Sequence, residues 1–382
     1  MLTLCLRFHW LSRDKLSNIH HVREVYLHYV CHALAYVSLA GAMRAERRAL
    51  LPQIIVENLV KTFRVAQRRP GVLGALAGLA KRQYKVVKAL DGVSFSLDEG
   101  ELLGYIGPNG AGKSTTVKIL SGILVPEAGR VEVLGLSPWK HRVQTVGQIG
   151  VVFGQRTQLW WDLPVIESFD LLRDIYRVGP ADYRRSRDEL TALLDLAPLL
   201  DTPVRQLSLG QRMRCDLAAA MLHSPRILYL DEPTIGLDAI SKLAVRDFIR
   251  RLNRERRVTV ILTTHDMDDI EALCRRVIVI HQGGIFMDGT LDELRGRVTR
   301  ERRLIVDLAH ENGQISDTYA TVISRQSRRV TLAFDPQQTA PADLIARIAA
   351  RHDIRDLFVE NPPIEEIIAR LYGQTAEVAS QR

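Results

Sequence analysis

Cysteine is scarce in this sequence, and long hydrophobic runs are missing after residue 50. The 382 residues include four cysteines, which form no CxxC pair and no spacing typical of a metal site. This pattern is typical of a reducing, cytosolic compartment. After residue 50 no apolar run approaches the roughly 18 residues that a membrane-spanning helix needs. If the protein serves transport, another chain must therefore supply the pore.

The sequence also lacks a block of charge of one sign. Its formal net charge is +8, and its 46% hydrophobic and 25% charged residues are typical of a globular protein. The basic excess beyond residue 50 is mild and scattered, which suits phosphate ligands or an anionic membrane surface. It is not the footprint of a nucleic-acid-binding protein, so we expect no nucleic-acid partner. Internal repeats and low-complexity segments are absent.

The first 42 residues carry no motif and resemble neither a good membrane span nor a secretory signal. Val25–Met43 has no formal charge and borderline length for a span, but it includes two histidines and three tyrosines. We favour a start codon placed too early, with translation from Met43. Residues 1–42 would then be a non-native or disordered extension, and a peripheral amphipathic helix is the alternative.

Strand and helix patterns alternate over residues 53–295, which predicts an α/β domain with a mainly parallel sheet covered on both faces. The predicted strands are Ile54–Thr62, Val93–Leu97, Leu102–Ile106, Ile227–Leu230 and Val258–Thr263, with a hairpin of Val277–His281 and Ile285–Asp288. The predicted helices outside the middle region are Lys113–Ile123, Ile240–Glu255 and Met267–Leu273.

Two regions depart from this alternation. Residues 160–225 read mostly as helices, at Val165–Val178, Tyr183–Asp195 and Gln211–Leu222, and we interpret them as an inserted helical subdomain. Residues 303–373 combine short strands and helices and predict a small α+β C-terminal domain, followed by a tail at 374–382.

A glycine-rich turn between a predicted strand and a predicted helix fits the phosphate-binding loop pattern. Its residues are Gly107, Pro108, Asn109, Gly110, Ala111, Gly112, Lys113 and Ser114. The glycines let backbone N–H groups approach phosphate oxygens without a clashing Cβ, and the following helix directs its positive end at the same anion. Lys113 would add charge at the β- and γ-phosphates, and the Ser114 hydroxyl could bind Mg²⁺.

The apolar run Ile227–Leu230 ends in two acids, Asp231 and Glu232. Ligands of open α/β sheets bind at the carboxyl ends of strands, so this pair should face the phosphate loop. Asp231 would then hold Mg²⁺, and Glu232 would polarise the attacking water as a general base. Taken alone, the pattern is equally typical of a helix cap or a surface feature.

A serine/glycine turn, Leu207–Gln211, opens a predicted helix and offers a hydroxyl and backbone N–H groups to an anion. Thr264 and His265 end a further strand, from which the histidine could reach a γ-phosphate. Each feature alone has an ordinary explanation, an N-cap for the turn and a structural histidine for His265. Their order and separation along the chain are what favour a nucleotide site.

Together these motifs resemble the nucleotide-binding domain of the ABC transporter family over about residues 53–295. The matching motifs are the Walker A motif (Gly107–Ser114), the Q-loop glutamine (Gln155), the signature motif (Leu207–Gln211), the Walker B motif (Ile227–Asp231) with Glu232, the D-loop (Gly236–Asp238) and the switch histidine (His265). The resemblance implies a P-loop NTPase fold with an antiparallel N-terminal β subdomain. It also implies ATP and Mg²⁺ as cofactors.

The resemblance further implies a head-to-tail dimer, homodimeric or heterodimeric, in which each ATP lies between Walker A of one chain and the signature motif of the other. The implied catalytic residues are Glu232, His265 and Gln155, and the implied metal ligands are Ser114, Gln155 and Asp231. The implied nucleotide contacts are Tyr84, Gly107, Pro108, Asn109, Gly110, Ala111, Gly112, Lys113, Ser114, Thr115, Ser208, Gly210, Gln211 and Asp238. Leu209 stands where the family has its first signature glycine.

Tyr84, six residues before Leu90, has the family's spacing for the aromatic residue that stacks on adenine, and Phe63 is the other candidate. The stretch between them makes the 64–88 loop longer than usual in the family. Its mixture of aliphatic and basic residues predicts either a basic amphipathic segment at lipid headgroups or a solvated surface helix.

Trp160 and Trp161 follow Gln155 closely and are either core residues or a docking surface. In the family this segment forms part of the groove for the membrane partner's coupling helix. The sequence around the tryptophan pair resembles that of the ATPase subunits of multidrug-type exporters, which have separate membrane subunits. The long 64–88 loop instead resembles that of polysaccharide exporters. We therefore expect a peripheral protein at the cytoplasmic face of the membrane, docked to permease subunits near the tryptophan pair, with the transported substrate left open.

Two other functions fit the sequence less well. A soluble ABC ATPase acting on ribosomes or DNA would carry two such domains or long coiled coils, and neither pattern is present. A non-catalytic regulatory module would not need Lys113, Asp231, Glu232 and His265 together.

Overall fold

The structure is a computed structural model that describes residues 52–67, 83–154, 156–310 and 315–371. Residues 1–42, most of the 64–88 segment, Gln155 and the 374–382 tail lie outside the described residues, so the predictions for them stay predictions. The described residues from Gln53 onward belong to one compact unit.

The strands of the described residues form three sheets. They are β1 (Ile54–Gln67), β2 (Gln83–Leu97), β3 (Leu102–Ile106), β4 (Ala128–Val133), β5 (Ile149–Phe153), β6 (Ile227–Asp231), β7 (Thr259–Thr263), β8 (Arg276–His281), β9 (Gly284–Thr290), β10 (Arg302–Leu308), β11 (Ala320–Gln326), β12 (Arg329–Phe334) and β13 (Ile354–Glu360).

The helices of the same residues lie mostly between these strands. They are α1 (Lys113–Leu120), α2 (Arg142–Val146), α3 (Val165–Tyr176), α4 (Pro180–Leu193), α5 (Leu209–Met221), α6 (Ala239–Arg256), α7 (Met267–Leu273), α8 (Leu291–Val298), α9 (Pro341–Ala349) and α10 (residues 364–371).

The central sheet has the strand order β5-β6-β7-β3-β8-β9. Its first five strands are parallel, and β9 returns antiparallel to β8 through a hairpin. Both β6 and β7 are buried along their whole length, as strands covered on both faces must be. The carboxyl ends of β3, β6 and β7 meet at one edge, which brings the phosphate loop, the acid pair and His265 to the same side.

Each face of the central sheet packs on a different layer, because neighbouring residues of a strand point to opposite faces. Tyr105 and Tyr229 face the antiparallel sheet, of order β2-β1-β4, and helix α1. Leu228 and Leu230 face the other side, where α5, α6 and the helical subdomain of α3 and α4 form the larger core. This arrangement is the predicted P-loop NTPase fold with an antiparallel β subdomain and an inserted helical subdomain.

The C-terminal region adds a small α+β fold, as predicted. Its antiparallel sheet has the order β11-β12-β10-β13, and α9 covers one face to form a separate core. Helix α10 contributes instead to the larger core of the nucleotide-binding domain, through Ile364, Ile367, Ile368 and Leu371. These four residues have the i, i+3, i+4, i+7 spacing of a helix with one apolar face.

Besides shifts of two or three residues at the ends of α1, α3 and α4, the structure differs from the predicted elements in three respects. Strand β1 continues to Gln67 and β2 starts at Gln83, so both ends of the predicted 64–88 loop are a two-stranded ribbon. Strands β4 and β5 and helices α2 and α8 were not predicted from the sequence. Helix α5 begins at Leu209 rather than Gln211, because Ser208 and Gln211 form a capping box that starts the helix there.

None of the helices in the described ranges has both the length and the apolar character needed to cross a membrane.

Candidate active site

The phosphate loop joins β3 to α1 in a conformation that requires glycine. Gly112 has φ +114°, and a Cβ there would lie 2.5 Å from the carbonyl oxygen of Ala89. A Cβ on Gly107 would lie 2.4 Å from the carbonyl oxygen of Ile280. Among the residues that the structure describes, no side chain caps the N-terminus of α1, and the first turn of this helix holds no acidic residue. The backbone N–H groups at that end are therefore left for an anion.

Lys113 is buried and folds back over the phosphate loop. Its Nζ donates to the carbonyl oxygens of Gly107 at 2.6 Å and Pro108 at 3.3 Å. Burial lowers the pKa of this ammonium, while the nearby carboxylates of Glu232 and Asp231 raise it. Phosphate oxygens that replace the two carbonyls would give the ammonium a stronger, charge-assisted partner.

Ser114 and Asp231, two of the predicted metal ligands, lie side by side. Ser114 Oγ donates to Asp231 Oδ1 at 3.2 Å, and Thr263 Oγ1 donates to the same oxygen at 2.5 Å. These hard oxygen donors, beside a phosphate loop, fit Mg²⁺. Sequence reasoning missed Thr263, although Asp231 and Thr263 are register partners at the ends of neighbouring parallel strands.

Glu232 and His265 form a hydrogen-bonded pair beside this oxygen cluster. His265 Nδ1 donates to the Glu232 carboxylate, since an ionised carboxylate can only accept. Glu232 has φ +58°, a left-handed conformation that is uncommon for a residue with a side chain. Its backbone N–H is held by the carbonyl oxygen of Thr263 at 2.9 Å. Hydrogen bonds thus hold both the backbone of this acid and its carboxylate.

Gly154 brings the segment that leads to Gln155 against this pair. A Cβ on Gly154 would lie 2.0 Å from the Glu232 carbonyl oxygen, and its N–H donates to the Asp231 carbonyl oxygen at 2.7 Å. Gln155 itself is outside the described residues. The next residue is Arg156, whose backbone N–H donates to the Phe153 carbonyl oxygen at 2.9 Å.

The signature turn lies at the start of α5 and contacts the loop that carries Asp238. A Cβ on Gly210 would lie 2.4 Å from Ser241 Oγ, and Asp238 Oδ1 accepts from the Ser241 N–H at 2.9 Å. Hydrogen bonds from Ser241 hold the pKa of Asp238 below its usual value. Leu209 is accommodated here, because its side chain packs beside Gly236, which has no Cβ. In the described part of the chain, the hydrogen bonds of Ser208 and Gln211 stay within the turn and do not reach the phosphate loop.

The two adenine-stacking candidates lie on the β1–β2 ribbon at different distances from the phosphate loop. Leu90 contacts Gly112 of the phosphate loop. Phe63 pairs with Val87, three residues from Leu90, whereas Tyr84 is six residues away. At about 3.3 Å per residue, these separations are roughly 10 Å and 20 Å along the strand.

Trp160 and Trp161 lie at the surface, with 39% and 51% of their area exposed. The Trp160 N–H donates to Ser168 Oγ at 3.2 Å, which ties the backbone to α3. The Arg212 guanidinium lies over the Trp161 ring, 5.7 Å from its centroid. The indole rings therefore do not fill the core of this chain.

Comparison with known proteins agrees with this geometry. Residues 90–235 match the family model described as ABC transporter. A daunorubicin resistance ATP-binding protein from Streptomyces coeruleorubidus is 32% identical over 306 residues, covering 78% of this chain and 96% of that protein. The bacitracin transport ATP-binding protein of Bacillus licheniformis is 27% identical over 280 residues, covering 73% and 87%.

Solved structures point the same way. A dimeric ATP-binding cassette in a post-hydrolysis state, bound to ADP and Pi, superposes with a TM-score of 0.52 at 26% identity. That match covers 62% of this chain and 98% of the cassette. The chain therefore belongs to the ABC transporter family. It is an ATP-binding subunit of such a transporter and hydrolyses ATP.

Proposed function

We propose that this subunit powers export through separate membrane subunits, as one half of a nucleotide-sandwiched dimer at the cytoplasmic face of the membrane. The observation that carries the catalytic part is the placement of the Glu232–His265 pair beside Ser114, Asp231 and Lys113 at one sheet edge. Export is supported by the relatives of this chain, which include daunorubicin resistance, bacitracin transport and Nod factor export proteins.

The chemistry is in-line attack of water on the γ-phosphorus of ATP, which breaks the bond to the β–γ bridging oxygen and releases ADP and phosphate. Glu232 takes the proton of the attacking water, and the hydrogen bond from His265 orients its carboxylate. Lys113 and the N–H groups at the start of α1 stabilise charge on the phosphate oxygens. Ser114 and Asp231, with Gln155, would hold Mg²⁺, which when bound neutralises phosphate charge. Phe63, nearer to the phosphate loop than Tyr84, is the proposed adenine stack.

The second cassette, a copy of this chain or a related one, would cover the face that carries the signature turn and Asp238. Ile240 and Leu243, in the first turns of α6 next to Asp238, are 82% and 62% exposed. Exposed aliphatic residues grouped beside a functional loop are typical of a surface that a partner covers. Ser208 and Gly210 of each chain would then contact the ATP held by the other.

The membrane subunit would dock on the helical subdomain near the tryptophan pair. On α3, Leu171 and Ile175 are also exposed, and their spacing of four residues places them on one helix face. Aromatic residues are enriched among the energetically dominant residues of interfaces. The exposed indoles therefore fit a helix contributed by the permease.

Substitution of the proposed base tests the catalytic assignment. Glu232→Gln should retain ATP binding, because it leaves the phosphate loop intact, and should lower turnover by roughly 10²–10⁴-fold, the usual effect of losing a general base. Glu365→Gln, at an exposed position on α10, is the matched control and should hydrolyse ATP at the normal rate. Near-normal turnover of purified Glu232→Gln protein would contradict the assignment.

A further inference from the structure

Asp216 is a buried carboxylate that reaches out of helix α5 to the segment between Gln155 and the tryptophan pair. It is 4% exposed. Its Oδ1 accepts from Thr157 Oγ1 at 2.8 Å and from the Gln158 N–H at 3.0 Å. The Gln158 side-chain amide donates in turn to the Asp216 carbonyl oxygen at 2.9 Å. One residue of α5 thus holds two consecutive residues of this segment by three hydrogen bonds.

A second contact joins the same two elements. Arg212 lies four residues before Asp216, so both side chains project from one face of α5. The Arg212 guanidinium lies over the Trp161 ring at 5.7 Å. Residues 157–161, which we name the docking segment, are therefore fastened to α5 near both ends.

An acid at this position is unexpected from packing alone. The residues that follow it on α5, Leu217, Ala218, Ala219 and Ala220, are all buried and apolar. A carboxylate in such surroundings is unfavourable unless hydrogen bonds satisfy it. Within the described ranges of the chain, the hydrogen bonds to its carboxylate come from the docking segment. The acid is thus explained by what it holds, rather than by the core around it.

The other end of α5 is the signature turn. Ser208 is the N-cap, and it is fixed to the helix by the capping box with Gln211. Asp216 lies eight residues further on, about 12 Å along the axis at 1.5 Å per residue. Because α5 is continuous and mostly buried, a displacement of its first turn carries the rest of the helix with it.

We propose that Asp216 is a positioning residue that fastens the docking segment to the signature helix. When the ATP held by the opposite chain draws Ser208 towards it, the tryptophan pair moves together with α5 as one rigid body. This inference rests on the proposed sandwich dimer and on the proposed docking role of the tryptophans. The proposed connection runs from the signature turn along α5 to Asp216 and from there to the docking segment.

The test follows the tryptophan pair by fluorescence in the 382-residue chain. The sequence has four tryptophans, so Trp10→Phe with Trp139→Phe leaves Trp160 and Trp161 as the reporters. Glu232→Gln is added so that ATP stays bound. In this background, ATP with Mg²⁺ should change the emission maximum and the iodide quenching of the pair. Asp216→Ala should abolish most of this response while ATP affinity, measured by calorimetry, stays near that of the background.

Conservative variants separate positioning from a general loss of structure. Asp216→Asn keeps an oxygen acceptor and should retain most of the response. Thr157→Val removes one donor on the partly buried docking segment and should lower the response, whereas Thr157→Ser should restore it. If Asp216→Ala fails to fold, the comparison of Thr157→Val with Thr157→Ser provides the same test.

The outcomes decide between the proposals. A full fluorescence response in both Asp216→Ala and Thr157→Val overturns the fastening role. Equal loss in Asp216→Asn and Asp216→Ala, with reduced ATP affinity in both, also overturns it in favour of a structural role. Failure of the docking proposal would appear separately, as normal copurification with the membrane subunit when both tryptophans are replaced.

Discussion

The burial of the single residue Asp216 should make the stability of the folded protein depend on pH. Burial raises the pKa of its carboxyl to about 6, against the lowering effects of the hydrogen bonds from Thr157 and Gln158 and of the Arg212 charge. Because the folded state binds this proton more tightly than the unfolded chain, the free energy of unfolding should fall as pH rises from about 4 to about 6. The loss is at most on the order of 3 kcal/mol, from roughly two pKa units at about 1.4 kcal/mol each.

Thermal unfolding between pH 4 and pH 7 measures this effect against Asp216→Asn, which does not titrate. The wild type should lose stability relative to the variant across this range. Thr157→Val removes a hydrogen bond that favours the ionised form of Asp216. The variant should therefore lose stability over a pH range that lies higher than that of the wild type. A constant difference between wild type and Asp216→Asn at every pH would contradict the prediction.

Individual residues of the site were predictable where a local pattern encodes them. Lys113, Ser114, Asp231 and Glu232 stand in short runs whose strand and turn context is visible in the sequence. Thr263 was missed because its hydrogen bond to Asp231 depends on the register of β6 and β7, which no local pattern specifies. The contact between Asp216 and Thr157 joins residues far apart in the chain and was missed for the same reason.

At the scale of elements, the β1–β2 ribbon escaped prediction because both of its faces are largely exposed. A strand shows alternation only when one face is buried, and residues 84–88 are all exposed. Strands β3, β6 and β7 were predicted because their apolar runs are buried. The pattern of buried residues made the type of an element predictable from the sequence. The residues at which an element ends depend instead on specific hydrogen bonds, such as those of the Ser208 capping box.

The ribbon separates the two adenine-stacking candidates. Phe63→Ala should weaken ATP binding by roughly fivefold, from the ~1 kcal/mol that an aromatic stack contributes. Tyr84→Ala should leave the affinity nearly unchanged, because Tyr84 lies farther along the ribbon from the phosphate loop. Calorimetric titration of both variants with ATP decides the question, and the reverse order of effects would restore Tyr84 as the stack.

The docking segment gives a second prediction at this scale. Trp160→Ala with Trp161→Ala should leave folding and nucleotide binding nearly intact, because both rings are exposed. It should abolish copurification with the membrane subunit, since one buried tryptophan anchor can contribute ~2 kcal/mol or more to an interface. Phe358→Ala, an exposed aromatic in the C-terminal sheet, is the control and should copurify normally. A drop of several degrees in melting temperature for the double variant would identify the tryptophans as structural.

At the scale of the whole molecule, mixed dimers distinguish a sandwich from two independent sites. If Ser208→Arg is in one chain and Lys113→Ala is in the other, the sandwich places both lesions at one ATP and leaves the second site intact. If one chain carries both changes beside a wild-type partner, each site has one lesion. Independent monomer sites reverse this outcome, since the wild-type partner would keep an intact site.

ATP occupancy of differently tagged, copurified dimers measures the result. One tight site is expected when the lesions are in different chains, and none when both are in one chain. Homodimers of each single variant serve as controls, because both of their sites should be impaired under the sandwich arrangement. A tight site in the dimer with one doubly substituted chain would rule the sandwich out.

The position of α10 has a consequence for how the chain is made. This helix places Ile364, Ile367, Ile368 and Leu371 in the core that also contains β6 and β7, although its start, at residue 364, lies 66 positions after the end of α8 at Val298. At about 5–20 residues per second, the ribosome needs roughly three to thirteen seconds to synthesise that interval. During this time every sequence motif for ATP is already synthesised, yet the apolar surface that α10 covers is still open to water. The nascent subunit thus completes this core only after α10 has been synthesised, and chains arrested after α8 would be the ones that chaperones and proteases recognise.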